Sequence, residues 1–116
     1  MSTVSAKNEL PPGPLNGIRV LDFSMFLAGP YCTRLMADLG AEIIKVEPPG
    51  GDFLRNAPPY RNGQSAYFTH MNCGKKSIVL DLKSQKGRQA IHELIHTVDV
   101  VVENFRPGVM ARLGLD

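Results

Sequence analysis

A chain of 116 residues has room for one domain. Hydrophobic and charged shares of 43% and 21% describe an ordinary globular protein, and a net charge of +2 with scattered basic residues leaves no electrostatic footprint for nucleic acid. No apolar run approaches the roughly 20 residues of a membrane span, and Cys32 and Cys73 lack Cys-x-x-Cys spacing, which points to two reduced thiols in a reducing compartment.

Residues 1–14 contain neither an apolar signal core nor an arginine, carry Glu9 and end in Pro11-Pro12-Gly13-Pro14. That is the pattern of a flexible tail, not of a presequence. Residues 18–23 are a short apolar strand candidate. A turn over 24–30 holds Ala28-Gly29-Pro30, and Pro30 suits the first turn of a helix, where its missing N–H is not needed. Along that helix Cys32, Leu35, Met36 and Leu39 form one apolar stripe. Gly40 stands where a left-handed cap is expected. Residues 42–47 read as a second strand, so 18–47 make a β–turn–α–β unit.

Residues 48–72 are rich in proline and glycine and show no period, and a loop of that length usually has a function. Residues 76–82 return to strand, with Ile78, Leu80 and Leu82 alternating. Ser84 can cap a helix over 85–97 whose apolar face is Ala90, Ile91, Leu94, Ile95 and Val98. A strand over 99–103 and a short segment over 108–113 follow. Strands alternating with helices imply an α/β fold with a Rossmann-like, mostly parallel sheet. Four strands with two main helices cover such a sheet poorly, so the chain reads as the incomplete N-terminal part of a larger protein.

The chemistry-bearing candidates cluster at strand ends. Val102-Glu103-Asn104-Phe105-Arg106-Pro107-Gly108 leaves a buried-strand pattern in a polar, aromatic and basic turn, at the carboxyl end where open α/β sheets bind ligands. Its amide, ring and fixed cation suit a ligand with a ring, a phosphate and amide groups. Ala28-Gly29-Pro30 could offer free N–H groups to a phosphate or be a plain βα turn, since the G-x-G-x-x-G pattern is absent. Glu47 ends the second strand, where a dinucleotide site places a ribose-binding acid. Asp22 and Asp81 are candidate buried acids, better read as hydrogen-bonded structural groups. Lys75, Lys76 and Lys83 read as a solvated face unless a ligand phosphate lies near. His92-Glu93-Leu94-Ile95-His96 matches H-E-x-x-H. The apolar residues 91, 94, 95 and 98 turn toward the core, so both histidines are expected in solvent, and no metal site is assigned.

From Leu15 to Asp116 the chain resembles the start of the class III CoA-transferases of CaiB/BaiF type, which include carnitine and formyl-CoA transferases and 2-methylacyl-CoA racemases. The resemblance rests on several blocks in order. They are residues 15–23, Leu27-Ala28-Gly29-Pro30, residues 38–47 and Pro49-Gly50-Gly51-Asp52. Asn72, Lys75-Lys76-Ser77-Ile78, Leu80 and residues 102–108 complete the series. It implies that residues 15–116 are the CoA-binding half of a large domain. The parent would bind an acyl-CoA and transfer CoA to a carboxylic acid, with no resident cofactor and with an aspartate as nucleophile. Carried over by position, Phe26, Leu27 and Ala28 would contact CoA, and Leu80 and Lys83 would flank the adenine and its phosphates. Asn104, Phe105 and Arg106 would touch nucleotide and pantetheine, and Arg112 would meet a phosphate. The nucleophile would lie beyond Asp116, leaving no catalytic residue here. The parent would be a cytoplasmic homodimer of interlocked subunits, with no nucleic-acid or membrane partner.

Leu27 stands where formyl-CoA transferases have glutamine, which disfavours formate and oxalate. Pro48 replaces an arginine and removes one adenine contact. The rival functions are a 2-methylacyl-CoA racemase of the same family, a non-catalytic CoA- or nucleotide-binding module and, from the H-E-x-x-H pattern, a zinc hydrolase.

Overall fold

Alternating apolar strands and amphipathic helices build a parallel sheet with a helical layer on each face. The computed structural model describes residues 11–116; residues 1–10 of the expected tail lie outside the described residues. The end of that tail is docked. Leu15 N–H donates to the Leu39 carbonyl at 2.9 Å. Gly13 packs so closely that a Cβ there would lie 2.2 Å from the Leu39 oxygen.

In chain order the elements are β1 (Arg19–Asp22), α1 (Ala28–Asp38), β2 (Glu42–Glu47) and a 3-10 turn (Phe53–Asn56). A hairpin comes next, β3 (Tyr60–Arg61) and β4 (Gln64–Ser65), and then α2 (Ala66–Asn72) and β5 (Lys76–Val79). The last elements are α3 (Gln85–Ile95), β6 (Val100–Val102) and α4 (Val109–Arg112). The main sheet has the order β5-β2-β1-β6, and all its neighbours are parallel. Counting only its four strands along the chain, that is 3-2-1-4, the Rossmann order, which reverses direction between β1 and β6.

Residues 48–72 are not the structureless loop that their prolines and glycines suggest. Asn62 and Gly63 both have positive φ, 51° and 74°, as a tight two-residue hairpin turn requires. Ser65 then caps α2, its Oγ accepting from Phe68 N–H at 3.1 Å. The Asn-Gly pair was the available sequence signal. The helix at 85 starts as expected, with Ser84 Oγ accepting from Gly87 N–H at 2.9 Å.

Side chains on a strand alternate between faces. Leu21, Phe23, Val46 and Ile91 are buried on the α3 side, with Ile44, Ile78, Leu80 and Phe105 packed around them. Val20, Ala41 and Ile43 are buried on the α1 side. Of the α1 stripe expected from the sequence only Met36 packs on the sheet; Cys32, Leu35 and Leu39 are exposed, and the buried residues of α1 are Gly29, Pro30 and Thr33. The reason is polar. Thr33 is drawn inward by Asp22, its Oγ1 donating to Oδ2 at 2.6 Å.

Asp22 is fully buried and Lys75, expected in solvent, has a side chain only 2% exposed. Their ion pair is 2.9 Å long, and Lys75 also donates to the Pro30 carbonyl at 3.0 Å and to Asn72 Oδ1 at 2.8 Å. Removing one partner of such a pair leaves an uncompensated buried charge. Lys75→Met is therefore expected to destabilise the chain by about 3–5 kcal/mol in urea denaturation; a loss below about 1 kcal/mol would show that the pair does not hold the fold.

Candidate functional site: a cavity over the strand ends

Phe23, Val46 and Leu80 follow the period-2 pattern to the α3 face of the sheet at its carboxyl ends. They form the floor of a cavity of about 410 Å³, walled by Met25, Pro48, Pro49, Leu82, Val109 and Leu113 and by the Phe105 ring. Asp81 and Lys83 stand at its polar side. The lining is mostly apolar with a few polar groups, the usual character of a small-molecule site.

The opposite face of the same strand ends is charged. Asp22, Lys45 and Glu47 project there, and each is paired. Lys45 Nζ donates to the Ser24 carbonyl at 3.0 Å and lies 3.0 Å from Asp52 Oδ2. The second contact is ionic without hydrogen-bond alignment, since Oδ2 accepts no hydrogen bond. Glu47 receives Arg55 through two bonds of 2.7 Å, the Asp52 N–H at 2.8 Å and the Ser77 hydroxyl. The Arg55 guanidinium in turn lies 4.0 Å from the Phe68 ring centroid, a cation–π contact. Above all the Arg55 fork, then the Ser77 and Asp52 donors, hold the Glu47 carboxyl down at about 2 against the opposing effect of burial. Burial lowers the pKa of Lys75, opposed by Asp22.

Between the two faces runs the turn from β1 to α1, which is held from three sides. Asp22 Oδ1 accepts from Ser24 N–H at 2.8 Å and from the Ser24 hydroxyl. The Asn104 amide grips Met25 twice, Oδ1 accepting from its N–H at 2.9 Å and Nδ2 donating to its carbonyl at 2.7 Å. Gly29 is required here, because a Cβ would fall 2.3 Å from Ser24 Cβ.

The cavity brings together Glu47, Leu80, Asp81, Lys83 and Phe105 of the residues singled out from the sequence. Asn104 lies beside them with both ends of its amide occupied by Met25. Phe26 and Leu27 are exposed outside the cavity, and Ala28 opens α1. Arg106 and Arg112 are exposed on the segment carrying α4, the latter closing that helix. Among the described residues, Lys83, Arg106 and Arg112 have no acidic partner. Asp81 is exposed and accepts from Lys83 N–H at 3.0 Å, so it is no buried acid. His92 and His96 face solvent, and no metal-ligating cluster of three forms among the described residues. Phe23, Met25 and Val46 were missed as lining. Their signal was the alternation itself, which fixes a shared face only once the strands are paired.

An open parallel sheet of Rossmann order with an apolar cavity over its strand ends defines a Rossmann-like α/β domain. The profile of CoA-transferase family III matches residues 15–116, and the chain belongs to that family. It is 50% identical over 107 residues to an acetyl-CoA:oxalate CoA-transferase of Acetobacter aceti, covering 91% of this chain and 28% of the relative. It is 47% identical over 105 residues to a succinyl-CoA:mesaconate CoA-transferase of Haloarcula hispanica, covering 86% of this chain and 26% of the relative. The crystal structure of Rv3272 from Mycobacterium tuberculosis superposes with a TM-score of 0.86 at 47% identity, over 92% of this chain and 30% of that one. A CAIB/BAIF family protein of Brucella suis gives 0.85 at 40%, over 91% and 29%. The chain thus spans about a quarter of the length of the curated relatives it matches. No described helix is long and apolar enough to cross a membrane.

The lowered Glu47 carboxyl ties stability to pH. Its stabilisation is complete above its ordinary value near 4.5 and is lost as pH falls toward about 2. The full shift corresponds to about 3 kcal/mol, less what solvent screening of the half-exposed Arg55 removes. Glu47→Gln is expected to lower stability at pH 7 and to flatten the decline between pH 4.5 and 2, read from urea midpoints across that range. An unchanged acid limb would show that Glu47 is not the group responsible.

Proposed function

We propose that residues 15–116 are the CoA-binding portion of an acyl-CoA:carboxylate CoA-transferase. The carrying observation is the cavity, with its apolar floor and Lys83 at its polar side, on a chain of CoA-transferase family III. The adenine lies over Leu80 against the Phe105 ring. Lys83 and Arg112 meet phosphates, and Arg106 closes the same side. Phe26, Leu27 and Ala28 border the path of the pantetheine. The Asn104 side chain acts here through the Met25 main chain, which leaves the backbone of 104–106 to meet the ligand.

The whole protein's chemistry is carboxylate nucleophilic catalysis. An aspartate beyond residue 116 attacks the thioester carbonyl, the C–S bond breaks and CoA leaves as the thiolate, forming a mixed anhydride. The thiolate then attacks the enzyme's own acyl carbon, releasing the donor acid and forming an enzyme-bound CoA thioester. The acceptor carboxylate attacks that thioester, the C–S bond breaks and a second mixed anhydride forms; the CoA thiolate then attacks the acceptor's acyl carbon, giving the new acyl-CoA and releasing the aspartate as its free carboxylate. No resident cofactor is needed. The parent is a cytoplasmic homodimer of interlocked subunits, and this chain alone turns nothing over. The names of its relatives span oxalate and mesaconate, so family membership leaves donor and acceptor open.

Calorimetric titration of the chain with CoA tests the binding role. Lys83→Ala and Arg112→Ala are each expected to weaken binding by about 1–3 kcal/mol. The loss should shrink with dephospho-CoA or pantetheine, whichever lacks the phosphate concerned. Equal losses with and without that phosphate would mark a folding defect, and no binding of CoA at all would end this reading.

A further inference from the structure

The last turns of α3 carry His92-Glu93-Leu94-Ile95-His96, a pattern that the CoA-binding reading leaves unused. Ile91, Leu94, Ile95 and Val98 of this stretch pack on the hydrophobic core, which fixes the rotation of the helix. His92 and His96, one turn apart, therefore project outward together, and both are exposed. His96 closes the helix at φ −71° and ψ −11°, still helical, so the i,i+4 relation holds to its end. Helix geometry sets their Cβ atoms roughly 6 Å apart. One ion with metal–nitrogen bonds of about 2.0–2.1 Å spans that gap.

The surroundings favour a cation. Among the described residues, only His70 of the three histidines has a side-chain partner, Arg34, so both imidazoles of α3 are free to ligate. Gln89, exposed on the same outer face, is neutral. Glu93 stands three residues before His96, and among the described residues no cation pairs with it. The negative end of the α3 dipole lies at His96, where Thr97 N–H donates to the Leu94 carbonyl at 2.9 Å.

We propose that His92 and His96 form a two-imidazole surface site for a divalent transition ion, Zn²⁺ or Ni²⁺, which fastens the last turn of α3. Among the described residues no third ligand joins them, so water completes the coordination and the site is not a hydrolytic zinc centre. The site lies outside the lining of the cavity and does not depend on the CoA-binding reading.

Calorimetric titration of the untagged chain with Ni²⁺, an ion that imidazole suits, is expected to show one ion per chain. His92→Ala and His96→Ala should each weaken binding at least about tenfold, and His70→Ala should leave it unchanged. His96→Ala combined with Thr97→His keeps the histidine count but turns the two rings about 140° apart around the helix. That variant should bind as weakly as either single one. Saturating Ni²⁺ should raise the melting temperature of the unmutated chain and of His70→Ala, and leave that of the other variants in place. No Ni²⁺ binding up to about 1 mM, or undiminished binding in the two alanine variants or in the one with the moved histidine, would overturn the site.

Discussion

Three charges at the carboxyl ends of adjacent strands, Asp22, Lys45 and Glu47, hold this structure in its working form. All three lie on one face of the sheet, and each is neutralised from the segment between β2 and β5, by Lys75, Asp52 and Arg55. A buried charge is tolerated only when paired and hydrogen-bonded. The row therefore dictates where that proline-rich segment must lie. It also draws Thr33, and with it the first turns of α1, against the sheet.

The same row explains why the cavity is apolar. Alternation along a strand sends successive side chains to opposite faces. With the charges committed to the α1 side, Phe23 and Val46 fall on the α3 side and leave the strand ends there without polar side chains. Polar residues border the cavity at Glu47, which ends β2, and at Asp81 and Lys83 beyond β5. One face of the strand ends fixes the backbone, and the other lines the apolar cavity.

Backbone strain sits where these two systems meet. Ser24 and Met25 have all four of their main-chain polar groups committed to Asp22, Lys45 and Asn104. The positive φ of Phe26 is the geometric consequence. Asn104 comes from the far side of the topological switch point, so the turn after β1 takes its shape only once β6 has docked beside β1. Adjacent strands distant in sequence assemble the site together, as in other open α/β sheets.

Much of this was legible beforehand. Periodicity located the main strands and helices, Ser84 announced its cap, and the ordered blocks from Leu15 to Gly108 marked the family. The Asn62-Gly63 hairpin was legible too, but the surrounding prolines and glycines masked it. Lys75 was not. A lysine beside another lysine reads as surface, and only pairing with an acid 53 residues earlier makes its burial possible. Three of the four residues of the α1 stripe misled for the same reason, since hydrophobicity orients a helix only until a stronger polar contact overrides it. Asn104 looked like a group offered to a ligand, and its use on Met25 depends on strand order. The sequence by itself determined the strands and two main helices of the parallel sheet and the family, because these depend on local periodicity and residue type. Only the tertiary structure decided which charges are buried, which face of α1 is bare and which side chains share a cavity, because each depends on partners brought together across the sheet.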